Sequence, residues 1–147
     1  MSSSIGWVQL TIADTDGHRK VSLICMVGLF AAIVMAIVGL PPVDLHGPLH
    51  RIGIMDPLCG GTRAARFAAQ GRWGQAWRYN PLGIVVVVTG GLALVRLASG
   101  HVLRRWLNWQ LAWTPRRRRG AFLVLLLVGV AVEVRQQSRA ALLVSGT

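Results

Sequence analysis

The sequence is short of acidic side chains, of lysine and of cysteine. Five Asp and Glu residues stand among 147, and one lysine accompanies fifteen arginines. Because glycoside and similar hydrolyses need paired carboxylates, so few acids argue against carboxylate catalysis. The two cysteines, Cys25 in an apolar run and Cys59 in a loop, make no disulfide framework and are not expected to pair. The chain also has no phosphate-binding glycine loop and no serine triad.

Charge of either sign is scarce as well. Charged residues make up 14% of the chain and hydrophobic residues 53%, whereas soluble domains average about 25% charged residues. This is the composition of a small multi-pass membrane protein. A net charge of +11 would indicate nucleic acid as the partner of a soluble protein. Here the arginines flank apolar runs, so we expect anionic phospholipids as partners and no nucleic acid.

Three apolar runs predict three transmembrane helices. The first has twenty residues without a charge, which span about 30 Å at 1.5 Å per residue. Arg96, near the end of the second run, is expected to extend its guanidinium toward the headgroups. The predicted fold class is an all-α membrane protein with a short interfacial helical loop between the first two spans. The predicted segments are an N-terminal tail (1–20), the first span (21–40), the interfacial loop (41–81), the second span (82–98), a basic segment (99–119), the third span (120–137) and a C-terminal tail (138–147).

Two features of the spans are candidate contacts with a partner. Gly28, Ala32 and Ala36 repeat every four residues, and such a stripe lets another helix approach closely. Glycine and alanine are also simply common in membrane helices. Glu133 lies at the edge of the third span, where an acid faces a partner, water or an arginine such as Arg135, or marks the membrane exit.

The loop between the first two spans predicts two short helices. Thr62 is a candidate N-cap for a helix over residues 63–70, which Gly71 would end. A second short helix carries Trp73 and Trp77 on one face. Arginines beside these aromatic residues are typical of the membrane interface.

The basic segment predicts a helix lying on the headgroups. Trp106, Trp109 and Trp113 recur at spacings of three and four, so a helix would place them on one face. Trp and Arg are typical of lipid headgroup depth and also of protein interfaces. The neighbouring cations are Arg116, Arg117, Arg118 and Arg119.

The positive charges predict the orientation of the chain. With three spans, the N-terminus and residues 99–119 lie on one side, and the four consecutive arginines adjoin the third span. The positive-inside rule then places the N-terminus in the cytoplasm.

The central loop resembles a bacterial family of small membrane proteins known as domain of unknown function 2752. The resemblance rests on Cys59-Gly60-Gly61-Thr62-Arg63-Ala64 and on Asn80-Pro81-Leu82. The family has a further cysteine where this chain has Asp56, an earlier cysteine near His46, and Gly-Asp where this chain has Gly71-Arg72. The resemblance therefore implies a bacterial inner-membrane protein but no intact four-cysteine site.

The retained motif residues favour a structural role. Gly60 and Gly61 permit a tight turn, Arg63 can reach loop carbonyls, and Asn80 can cap the helix that Pro81 begins. This interpretation involves no catalytic residue, cofactor or metal. An irregular zinc site formed by His46, His50, Asp56 and Cys59 is the alternative.

Three functions remain open at this stage. The first is a non-enzymatic accessory subunit bound to larger integral membrane proteins, in an assembly that transports lipids or other apolar cargo. The second is a membrane-bound thiol or metal enzyme that uses Cys59. The third is a sensor of anionic lipid working through residues 99–119.

Overall fold

The structure, a computed structural model, describes residues 2–5, 8–40 and 57–140. Most of the described residues are helical, and three helices are long and apolar enough to cross a membrane. The fold class is therefore as predicted, with one addition, a small three-stranded sheet. In chain order the elements are β1 (Ser2–Ile5), β2 (Val8–Ala13), α1 (Arg19–Val38), α2 (Gly61–Ala69), α3 (Trp73–Tyr79), α4 (Pro81–Leu103), β3 (Trp106–Leu111) and α5 (Pro115–Gln137).

The spans differ from the prediction at their polar ends. α4 continues to Leu103 and α5 begins at Pro115, whereas apolar runs alone predict boundaries at residues 98 and 120. Hydropathy locates the part of a helix inside the bilayer, but backbone hydrogen bonding carries the helix on into the headgroup layer. Thr114 Oγ1 accepts a hydrogen bond from the Arg117 amide, and Pro115 occupies the first turn. These are ordinary start signals for a helix.

α1 and α4 form the packed pair of the molecule. A Cβ added at Gly90 would lie 2.5 Å from Leu29 Cβ and 3.0 Å from Cys25 O, so a glycine is needed for the backbones to come this close. Part of the predicted small-residue stripe lies along this contact. Ala32 is fully buried, and Gly28 lies against Val86. Gly28 of the stripe thus admits α4 of the same chain, whereas Ala36 O accepts a hydrogen bond from Gln70 Nε2 at the end of α2.

The N-terminal tail and the basic segment form a sheet, which the sequence analysis did not predict. β1 pairs with β2 and β2 pairs with β3, both antiparallel, with Leu10 opposite Trp109. The headgroup helix predicted over residues 99–119 is therefore wrong, and the predicted N-terminal tail contains two strands. In a strand, Trp106 and Trp109 point to opposite faces because their spacing is odd. The pairing does confirm that both segments lie at the same end of the spans.

Candidate functional site

The matched Cys-Gly-Gly-Thr-Arg and Asn-Pro-Leu residues meet at the end of the α1–α4 pair opposite the sheet. We call this region the motif junction: residues 57–60, α2, α3, Asn80 and the first turn of α4. As predicted, two short helices form, and Gly71 separates them with a positive φ of 74°. The predicted Thr62 cap is wrong. α2 begins at Gly61, and Gly60 precedes it with a left-handed φ of 72° and no side-chain cap.

Asn80 holds the motif junction together. Its side chain is fully buried, and its Oδ1 accepts a hydrogen bond from the Leu82 amide at 2.9 Å, as the capping prediction requires. Its Nδ2 donates to Pro57 O at 2.9 Å and to Cys59 O at 3.0 Å. One amide thus joins the loop before α2 to the start of α4. Because a buried backbone carbonyl without a partner is costly, these bonds explain the need for Asn at this position.

Gly83 brings α4 into direct contact with α2. A Cβ at this position would lie 2.5 Å from Ala65 N and 2.6 Å from Ala64 Cβ. Ala64, Ala68 and Ala76 are buried in the same cluster. The alanines keep the surface between α2, α3 and α4 flat enough for backbone to approach backbone. Sequence reasoning missed Gly83, although it lies two residues after Pro81.

Four side chains stack on the polar side of the motif junction. Phe67 and Tyr79 stack with ring centroids 5.4 Å apart. The Arg72 guanidinium lies 4.9 Å from the Phe67 centroid and the Arg63 guanidinium 5.8 Å from that of Tyr79. Cation–π contact holds both arginines against the rings. Arg63 therefore packs on Tyr79 through its guanidinium.

Cys59 is buried, with 7% of its surface exposed, and packs against Tyr79 and Ala140. Both cysteines are thiols, as expected. No group of three or more potential metal-ligating side chains occurs within the described residues. His46, His50 and Asp56, the other members of the alternative zinc site, lie outside the described residues.

The C-terminal end of α5 is bound to the motif junction through backbone carbonyls. Arg135 donates to Trp77 O and lies over the Trp77 ring, and Arg139 Nη1 donates to Arg78 O at 2.8 Å. Those carbonyls end α3, where a helix attracts cations. Arg135, a predicted partner of Glu133, is thus engaged with α3. Gln136 is fully buried beside it, and its amide atoms have no hydrogen-bond partner among the described residues.

The predicted contact residues of this end are partly accessible. Trp73 and Trp77 are 48% and 57% exposed. Their assignment to lipid or to a partner stays a prediction, as does that of Glu133, which is half-buried.

A second polar cluster, which we call the Arg96 network, lies at the sheet end. Arg96 Nη2 forms an ion pair with Asp16 Oδ1 at 2.6 Å, and the side chains are 16% and 11% exposed. Arg96 also donates to Ser22 Oγ at 2.9 Å, Asn108 Oδ1 at 3.1 Å and Leu107 O at 3.0 Å. The expected depth of the Arg96 guanidinium at the headgroups stays a prediction. Within the chain, this guanidinium links α4 to the start of α1 and to β3.

Neighbouring side chains extend the Arg96 network along β3. Asn108 accepts from Gly17 N at 3.1 Å and donates to Thr15 O at 3.0 Å. His18 Nε2 lies 3.1 Å from Trp109 N and 2.8 Å from Trp109 O, and its ring stacks on Trp109. Since alternate residues of a strand bond to opposite sides, His18 at Trp109 and Arg96 at Leu107 O cover the edge of β3 that faces away from β2.

Electrostatics fix the charge state of Asp16. The hydrogen bond from Arg96 lowers the pKa of the Asp16 carboxyl below its usual 3.8, opposed by burial and helped by the bond from the His18 amide. The carboxylate is thus charged at neutral pH. A sequence signal for this pair did exist. In a chain with five acids, the span order places Asp14 and Asp16 on the same side as Arg96.

Comparison with known proteins bears on the motif junction and not on the Arg96 network. No curated protein and no solved structure matches the chain. A family model matches residues 48–94, which include α2, α3 and the first part of α4. The resemblance predicted from the motif is confirmed: over these residues the chain is similar to the family described as Protein of unknown function (DUF2752).

Proposed function

We propose that this protein is a non-enzymatic accessory subunit of a larger complex in the bacterial inner membrane, with its N-terminus in the cytoplasm. The observation that carries the proposal is the surface of α5. Five consecutive residues, 123–127, are each 52–70% exposed. Since consecutive residues point about 100° apart on a helix, they cover its whole circumference. The middle of α5 is therefore uncovered on every side.

The attachment of α5 supports a protein partner over lipid alone. α1 and α4 bury small residues against each other, whereas α5 has no comparable contact with either helix among the described residues. It is held at its C-terminal end, by Arg135 and Arg139 on α3. A helix of a larger subunit fits beside a span that its own chain secures only at the end. Glu133, half-buried on this helix, provides a polar contact for such a partner.

The motif junction supports a non-enzymatic role. The polar groups of Asn80 are used in hydrogen bonds within the chain, and Cys59 is buried beneath Tyr79. These contacts build a scaffold that sets α2 and α3 across the end of the spans. A complex that transports lipids or other apolar cargo is the class of partner that we propose, because the uncovered surface is itself apolar.

Site-specific photocrosslinking in native membranes tests this proposal. A photoreactive residue at Leu125 of α5, 70% exposed, should give an adduct with one larger membrane protein. The same residue at Ile24 of α1, 71% exposed, serves as the control and should label lipid. The proposal also requires the tagged chain to co-purify with that protein in mild detergent. Lipid adducts alone at Leu125, with recovery of a free 15.9 kDa chain, would overturn it.

A further inference from the structure

The first turns of α5 form one side of an amphiphilic groove at the sheet end of the molecule. Trp113, Thr114 and Pro115 line one part of the groove, and Arg118, Arg119, Phe122 and Leu123 line the other. The volume of this open groove is about 710 Å³. Trp113, 59% exposed, also lines a second groove of about 500 Å³ beside Arg117. Trp113 is thus shared by the two grooves.

The charged and the apolar residues that line the groove lie at different positions along the helix axis. Arg118 and Arg119 lie in the first turns of α5, and Phe122 and Leu123 lie one turn further into the span, about 6 Å deeper at 1.5 Å per residue. Cations at headgroup depth above apolar side chains match a phospholipid, whose phosphate lies outside its acyl chains. A free anion would use the cations and leave the apolar part unfilled.

The charges of the groove are available to a ligand. Arg117 is engaged, because its Nη1 donates to Ala112 O at 3.2 Å. Arg118 and Arg119 are exposed and form no ion pair or hydrogen bond with the described residues through their side chains. Three acids are among the described residues. Asp16 is bonded to Arg96, Glu133 lies near the opposite end of α5, and the exposed Asp14 forms no ion pair with the described residues. The start of a helix adds further positive potential.

We propose that this groove binds one anionic glycerophospholipid of the phosphatidylglycerol type. The phosphodiester lies between Arg118 and Arg119, one acyl chain follows Phe122 and Leu123, and the Trp113 ring packs against the glycerol region. This inference makes the expected anionic-lipid partner specific, and it rests on the proposed membrane location. It does not depend on the partner subunit, so either proposal can fail alone.

Fluorescence quenching by brominated lipid tests the site on the full chain in mild detergent. Phosphatidylglycerol with brominated acyl chains should quench tryptophan emission saturably, and a Trp113→Phe variant should lose that saturable component. Arg118→Gln with Arg119→Gln should weaken apparent affinity about 30-fold, from the loss of two cations near the phosphate. Arg105→Gln with Arg116→Gln removes the same charge from exposed residues outside the groove and should change affinity less than threefold.

The outcomes separate this site from general charge attraction and from other ligands. Equal losses in the two double variants would overturn the proposal, as would equal quenching by brominated phosphatidylcholine. Inorganic phosphate at ionic strength matched with chloride should not displace the lipid; displacement would mean that the groove is a free-anion site. Saturable binding of an acidic peptide that excludes the lipid from the groove would assign it to a protein and would also count against the inference.

Discussion

Removing the guanidinium of Arg96 should release the N-terminal sheet from the spans. Arg96→Met keeps the apolar stem and deletes all four hydrogen bonds, to Asp16, Ser22, Asn108 and Leu107. Exposed ion pairs contribute about 0–1 kcal/mol, and breaking a buried pair costs about 3–5 kcal/mol. With side chains 16% and 11% exposed, Arg96 and Asp16 are closer to a buried pair than to an exposed one. We therefore expect the free energy of local opening of the sheet to decrease by about 3 kcal/mol.

Hydrogen exchange of the β2 amides in lipid nanodiscs measures this loss directly. A decrease of about 3 kcal/mol in the free energy of local opening corresponds to exchange roughly 100-fold faster. The amides of α4 should keep their protection, because the change detaches the sheet without unfolding the span. Arg105→Met is the matched control, since Arg105 is exposed at the same end of the molecule.

A double-mutant cycle separates the ion pair from the rest of the Arg96 network. Asp16→Asn removes the charge and keeps the shape of the side chain. Combined with Arg96→Met, it should show a coupling free energy of about 1–3 kcal/mol. If β2 exchanges at the same rate in Arg96→Met as in Arg105→Met, or if the cycle is strictly additive, the sheet is held by backbone pairing and the reasoning fails.

Three further predictions concern acid stability and the motif junction. Because the native pKa of Asp16 is lowered from 3.8, the contribution of its carboxylate to stability is fully present above that pH and is lost as pH falls toward the native pKa. The opening of β2, measured by hydrogen exchange and corrected for intrinsic exchange, should therefore increase below about pH 4. In Asp16→Asn it should not change with pH. Gly83→Ala should destabilise the chain by about 1–3 kcal/mol, measured in a thermal melt followed by near-ultraviolet circular dichroism. Gly91→Ala on the same helix, where an added Cβ meets nothing within 4 Å, should not destabilise it. Equal melting temperatures of the two variants would contradict the close packing at Gly83. Asn80→Ala should remove the two hydrogen bonds that the side chain donates to Pro57 O and Cys59 O. We expect this change to lower the free energy of unfolding by about 2–4 kcal/mol and to speed maleimide labelling of Cys59 at least tenfold. An unchanged labelling rate would show that Asn80 does not hold that loop.

The features predicted from the sequence are those with local signals. Twenty apolar residues are enough to specify α1, because the bilayer requires a hydrogen-bonded span of that length. Gly71 ends α2, and Asn80 before Pro81 caps α4; both are local stop and start signals that act within a few residues. The motif junction was therefore predictable in outline. Its exact packing was not, since Gly83 acquires its role only when α2 lies across α4.

The features that were missed depend on contacts distant in sequence. Trp106, Trp109 and Trp113 have helical spacing, but β3 pairs with β2 almost a hundred residues earlier, and that pairing outweighs local periodicity. Arg96 was interpreted from its position in an apolar run, while its partners Asp16 and Asn108 come from two other segments. The Thr62 prediction failed for a local reason, because Gly60 adopts a left-handed conformation and α2 begins at Gly61, two residues before the predicted start.

The pairing of β2 with β3 has a consequence for the order of events during synthesis. β2 leaves the ribosome before β3, and β3 follows only after α1, the motif junction and α4 have been made. The N-terminal segment must therefore wait on one side of the membrane until two spans have been inserted and the chain has returned. Had either span failed to insert, β3 would emerge on the opposite side and the sheet could not close. Closure of the sheet thus requires both spans to be inserted, and we expect chains with the wrong number of spans to have an N-terminus that stays open to protease.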